Sequence, residues 1–158
     1  MKRIVLIDGA LLAKVSATAV ASPRLRKNYN FHVSEAEPCG RLLNAIEPGS
    51  YVRPHCHLGA DKDETILAVK GRVGVLEFDA AGQVAGKAVL EAGGENIGIN
   101  VPHGTFHSLV ALEAGSVFFE SKAGPWAPLS VAERSAWAPD EGSEGAQAYY
   151  QWMRAQFD

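Results

Sequence analysis

The sequence predicts an all-β, double-sheet jelly-roll barrel with a short helix at each end. Three observations lead there. Short apolar runs alternate with Gly, Pro and Asp turn signals from about residue 41 to residue 121. The chain carries 16 glycines and 8 prolines in 158 residues, the punctuation that a core of short strands requires. Three histidines and a carboxylate from different predicted strands, His55, His57, His107 and Glu64, must also meet inside the fold, and a double-sheet barrel allows that.

The elements follow in chain order. Arg3 to Ile7 reads as a short strand, and Asp8 as the N-cap of a helix whose apolar positions are Leu11, Leu12, Val15 and Ala19. That helix should stop before Pro23. The first 23 residues have the basic start and small residues of a leader peptide. Asp8 and Lys14 interrupt the apolar run, however, so the segment reads as folded protein. In PRLRKNYNFHV, residues 23–33, an extended chain puts Asn28, Asn30 and His32 on one face. That face is either a polar lining over a pocket mouth or a solvated connection with Asn-stabilised turns.

Strands are expected at Arg41–Glu47, Tyr51–His57, Glu64–Lys70, Val73–Asp79, Val84–Leu90, Asn96–Val101, from His107 onward, and Ser116–Ser121. Turns separate them at Pro48-Gly49-Ser50, Gly71, residues 79–82 and Gly93-Gly94. The stretches KAGPWAPL and AWAPDEG read as surface loops, with Trp126 and Trp137 covering apolar surface or walling a pocket. Residues 143–157 read as a helix with Tyr149, Trp152 and Met153 on one face. The organisation is a single domain over 1–158: helix and polar segment at 1–34, barrel core at 40–121, loops and helix at 122–158.

Composition narrows the function classes. Apolar residues make up 47% and charged residues 21%, the net charge is −3, and basic residues form no long runs. Nothing favours nucleic acid or an anionic membrane, and no stretch is long enough to span a bilayer. The two cysteines, Cys39 and Cys56, are too few for a disulfide-stapled secreted scaffold. Cys56, between two histidines, should face the opposite side of its strand as a small apolar filler.

The histidines carry the chemistry. Residues i and i+2 of a strand point the same way, so His55 and His57 aim two imidazoles at one point. Glu64 returns after a polar loop with a negative oxygen, and His107 arrives from the PHGTFH cluster. Three nitrogens and one oxygen suit one divalent ion, iron, manganese, nickel or zinc, with coordination positions left for water or ligand. His103, in the turn, should face solvent. Arg53 shares the inward face of His55 and would hold an anionic group or a rim ion pair.

Gly49, His55-x-His57, Glu64 and Gly71 resemble the first motif of the cupin superfamily, and Pro102-x-Gly104-x-x-His107 resembles the second. Asn96 replaces the usual glycine ahead of the second motif, and Ala111 its final asparagine. Over nearly the whole chain, SPRLRKNYNFH, NAIEPGSYVRPHCH, ESKAGPWAP and WAPDEG are similar to the WbuC family of cupin-fold metalloproteins, found near genes for bacterial O-antigen sugar synthesis. The resemblance implies a bacterial, cytoplasmic protein, metal ligands at His55, His57, Glu64 and His107, a sugar or nucleotide-sugar ligand, and a homodimer.

Two function classes stand beside a purely structural role, in which the metal only ties strands together. One is a metal-dependent enzyme on a small polar molecule, an isomerase or epimerase or a dioxygenase, with Arg53, Asn28, Asn30 and His32 contacting the ligand. The other is a module that holds such a molecule unchanged.

Overall fold

Alternation of apolar and polar residues along eight short segments produces two antiparallel sheets. The computed structural model describes residues 4–158. Among them, α1 (Gly9–Val20) precedes β1 (Arg26–Asn30) and β2 (Cys39–Ile46). After a long connecting segment come β3 (Glu64–Lys70), β4 (Arg72–Phe78), β5 (Val84–Glu91), β6 (Gly98–Val101), β7 (Phe106–Ala111), β8 (Ser116–Ala123) and α2 (Ala146–Ala155). The larger sheet has the order β1-β2-β8-β3-β6 and the smaller β5-β4-β7.

The inner faces meet in an apolar core of Ile46, Ile66, Val73, Val75, Leu90, Leu109, Ala111 and Phe118. Each fully buried aliphatic side chain there contributes about 1.5–3 kcal/mol through loss of hydrated surface. Each sheet also buries its outer face under a helix. Asp8 caps α1 by accepting from the Leu11 amide at 2.9 Å. Leu11, Leu12, Val15 and Ala19 of that helix then cover Leu43, Ala45 and Val117 of the larger sheet. Tyr150 and Met153 of α2 cover Leu76, Phe78 and Val110 of the smaller sheet. The fit is close at Gly74, where a Cβ would lie 2.5 Å from the Phe157 ring, so only glycine admits the end of the chain there.

The inner face is not uniform along the strands. In β3 it runs Glu64, Ile66, Ala68, and in β8 Lys122, Glu120, Phe118, residue opposite residue in register. One end of the barrel is therefore packed with hydrocarbon and the other is polar. The polar end opens into a cavity of about 990 Å³.

Four expectations need correction. Ile4–Ile7 joins no sheet, and Arg3 lies outside the described residues. The polar segment before residue 34 contains a true strand, β1, because its backbone pairs with β2 from Arg26↔Ile46 to Asn30↔Leu42. Tyr51–His57 is not a regular strand, since Pro54 lacks the amide that a continuous ladder needs. It is an extended segment stitched by single bridges from His55 to His107 and Arg134. Finally, β8 does not stop at Ser121. Pairing with Gly40 and Cys39 carries it through Lys122 to Ala123, which moves Lys122 from a loop into the barrel wall.

Candidate metal centre

The backbone sets the three imidazoles. The amides and carbonyls of His55 and His107 exchange hydrogen bonds at 3.1 and 2.9 Å, placing their side chains next to each other. The Gly104 amide donates to the His57 carbonyl at 2.7 Å, so the PHGTFH turn is fastened to the His-x-His segment. The ring centroids lie 4.7 Å (His55–His107), 5.2 Å (His55–His57) and 5.9 Å (His57–His107) apart. One ligand nitrogen from each of the three falls within 4.8 Å of the others.

The far ring nitrogens are occupied. His55 Nδ1 faces the Arg53 carbonyl at 3.0 Å and His107 Nδ1 the Thr105 carbonyl at 2.9 Å. A carbonyl only accepts, so both Nδ1 atoms carry hydrogen and both Nε2 atoms are left for the interior. Burial, reinforced by the neighbouring His107, pushes the His55 imidazolium down to about 3, so this ring is neutral near neutral pH.

Glu64, 4% exposed, completes the group from β3. Its Oε2 lies 3.1 Å from His107 Nε2 and 3.4 Å from His57 Nε2. Burial works against its charge, yet contacts with His107, His57 and Lys122 outweigh that and hold it well below the usual carboxylate range. A carboxylate oxygen facing two imidazole nitrogens is an arrangement of acceptors. One proton satisfies one of these contacts, whereas one cation satisfies them all. The donor set of three imidazoles and a carboxylate, with the His55 and His107 rings fixed from behind, fits a divalent ion.

Two further ionisable groups share the floor. Lys122 Nζ lies 2.9 Å from His57 Nε2, 3.4 Å from Glu64 Oε1 and 3.3 Å from Glu120 Oε1. Burial disfavours its charge, but Glu64 and Glu120 raise its pKa above the ordinary lysine value. Glu120 Oε2 accepts from Asn44 Nδ2 at 2.7 Å. Burial, then the charge of Glu64, pushes Glu120 up to about 8.

The other expected site residues sit around this floor. Asn28, Asn30, His32 and Arg53 all line the cavity. Asn28 Nδ2 donates to Asn30 Oδ1 at 2.7 Å, and His32 Nδ1 is held against the Arg41 backbone at 3.2 Å. Arg53 pairs with Asp140 and donates from Nε to the Ser135 carbonyl at 3.2 Å, so its guanidinium fastens the 135–140 segment. His103 is half-exposed and pairs with Asp63 at 2.8 Å. Cys56 is 1% exposed. Trp137 packs on Phe78 and Phe106 in the outer core, while Trp126 is exposed at the cavity mouth.

Lys122, Glu120 and Asn44 escape the sequence reading. The usable signal is the alternation of Phe118, Glu120 and Lys122, but Val117 and Phe119 make the other face of β8 equally apolar because α1 covers it. No helix of the described residues is long and apolar enough to cross a membrane.

The fold is that of the cupins. Solved structures with the same architecture include KdgF from Halomonas sp., at 20% identity and a TM-score of 0.51, covering 67% of this chain and 84% of that one. A conserved protein of unknown function from Streptococcus pyogenes, SPY1581, is 13% identical with a TM-score of 0.53, covering 80% of this chain and 93% of that one. An oxalate oxidase in complex with the substrate analogue glycolate is 16% identical with a TM-score of 0.52, covering 68% and 56%. No match is found among curated proteins. Residues 7–90, more than half of the sequence, match the family described as a domain of unknown function, DUF6016, and the chain belongs to that family.

Proposed function

We propose that the protein holds one divalent ion, iron, manganese, nickel or zinc, through His55, His57, Glu64 and His107, and acts as an enzyme on a small polar molecule such as a sugar or nucleotide-sugar derivative. The observation that carries this reading is the convergence of three imidazoles and a carboxylate on the floor of an open cavity of about 990 Å³. A merely structural ion would be closed off from solvent by its ligands. When bound, such an ion supplies Lewis acidity toward a carbonyl or hydroxyl of the ligand. The chain supplies orientation: amides of Asn28 and Asn30 for hydroxyl groups, and a wall held shut by the Arg53–Asp140 pair. The similarity of its segments to the WbuC family supports a bacterial, cytoplasmic setting.

Elemental analysis of protein purified without added metal is expected to find close to one ion per chain. That metal then defines the protein used to screen nucleotide sugars and sugar acids for turnover. Failure to retain any of the four metals overturns the metal assignment. Saturable binding with the ligand recovered unchanged would replace the enzyme by a binding module.

We further propose a homodimer. Ile4, Val5, Leu6 and Ile7 form an apolar run, 94, 52, 69 and 48% exposed, with no strand partner among the described residues. Such a run is a template for pairing with a sheet edge of a second copy. Sedimentation equilibrium should give twice the chain mass, and Leu6→Asp should weaken the dimer at least about tenfold, roughly 1.4 kcal/mol. A wild-type monomer at high concentration would end this idea.

A further inference from the structure

The cavity is lined by several cations, and most of them are engaged in holding loops. Arg24 and Arg26 both pair with Glu141, and Arg53 with Asp140. Lys62 donates to the carbonyls of Ala123 and Pro125 at 2.7 and 3.1 Å. Arg134 is exposed, so water and salt screen it. Lys122 differs from all of these. It projects from β8 onto the floor with its side chain 20% exposed, and its ammonium touches the proposed ligands His57 and Glu64. Glu120, itself fixed by Asn44, holds it from the third side. Its neighbour across β2 is Gly40, which has no side chain and lines the cavity. No side chain at that position therefore fills the cavity next to β8.

We propose that Lys122 receives the carboxylate of a small hydroxy acid bound beside the metal. This deepens the reading of the site given above and rests on it. The charges on the floor favour an anion. A divalent ion and an ammonium face the carboxylates of Glu64 and Glu120. Whether or not Glu120 carries its proton, the floor with a divalent ion bound would keep net positive charge. A carboxylate has two oxygens and can serve the metal and the ammonium together, which a neutral hydroxyl cannot. The hydroxyls of such a ligand then meet the amides of Asn28 and Asn30, in the strand next to Asn44. A metal held by His57 and Glu64 would draw those two partners away from the ammonium, so a neutral sugar would leave it with Glu120 alone and bind less well.

The test uses the full chain loaded with Co(II), with D-gluconate as the probe and D-glucitol as its uncharged counterpart. Binding is read from the visible spectrum of the bound cobalt and by calorimetry. Gluconate is expected to bind at least about tenfold more tightly than glucitol. Lys122→Met should abolish that preference while cobalt stoichiometry stays at one, Lys122→Arg should restore part of it, and Arg134→Met should leave it in place. Equal binding of the two probes by the wild type would overturn the proposal. So would an undiminished preference in Lys122→Met. Should Lys122→Met not fold, Lys122→Arg and the two probes on the wild type still decide. Failure of the wild type to take up cobalt is a different result, since it removes the metal assignment. Gluconate and glucitol titrated into the metal-free chain, followed by amide NMR shifts around Lys122, then decide the carboxylate site alone: gluconate-selective shifts in the wild type that Lys122→Met loses and Lys122→Arg partly keeps support it, and their absence from the wild type sinks it.

Discussion

His107→Ala is expected to lower divalent metal affinity about a thousandfold or more, beyond the roughly 10–100-fold that loss of an outer partner costs a metal site. Three features single out His107. It is the most enclosed of the three imidazoles, 2% exposed. It is hydrogen-bonded from behind by the Thr105 carbonyl, so its Nε2 has one direction available. It also contacts Glu64 at 3.1 Å, so its removal deprives the carboxylate of a partner as well. The backbone bridge to His55 does not depend on the side chain, and the fold should survive. Dialysis against a metal buffer followed by elemental analysis measures the loss, and a thermal melt of the metal-free variant checks the fold. Retention of one tightly held ion by His107→Ala would mean that the ion sits elsewhere. Glu64→Gln provides a graded control: it keeps the shape, removes the charge, and should lose less affinity than His107→Ala.

Much of this was legible in the sequence, for identifiable reasons. β3, β4, β5 and β7 alternate cleanly between interior and solvent or lie between turn glycines, and the structure places them where periodicity does. His55, His57, Glu64 and His107 were readable as a group because few structural roles place two histidines at i and i+2 with a third imidazole beyond a Pro-Gly turn. The misses have a common cause, which is context that no local window contains. β1 is a strand only because β2 is there to pair with it. The end of β8 looked like a loop because Gly124-Pro125 follows closely, while Gly40 opposite Lys122 extends the ladder. That one boundary concealed Lys122. Arg53 lines the cavity, but its pairing with Asp140 joins residues 87 positions apart, a distance over which composition is silent.

The metal-free protein should be most stable between about pH 4.5 and 6.5 and lose stability on both sides, because the site groups pull in opposite directions. His55 titrates at about 6.5 when unfolded and about 3 when folded. Between those values the unfolded chain binds a proton that the folded chain refuses, so stability falls as the pH drops, by at most about 1.4 kcal/mol per pH unit. Glu120 has the opposite sign. Folded, it keeps its proton to about 8; unfolded, it loses it near 4.5. Over that interval the folded chain holds the extra proton, and stability falls as the pH rises by a similar slope. The two slopes cancel between 4.5 and 6.5. Above 6.5 only Glu120 acts, giving a loss of roughly 2 kcal/mol by pH 8. Below 4.5, Glu64 joins His55, because its folded pKa lies well below its unfolded value, and Glu133, held down to about 2 by the Ser130 and Leu58 amides, adds to them, so the acid limb is steeper than the alkaline one. Urea unfolding of the chelator-treated chain at half-unit steps from pH 3.5 to 8.5 measures the profile. Glu120→Gln should flatten the alkaline limb and leave the acid limb standing. A wild-type profile that climbs from pH 6.5 to 8 would show that Glu120 is ionised in the folded chain, and that Lys122 stands between two full carboxylate charges even before a metal arrives.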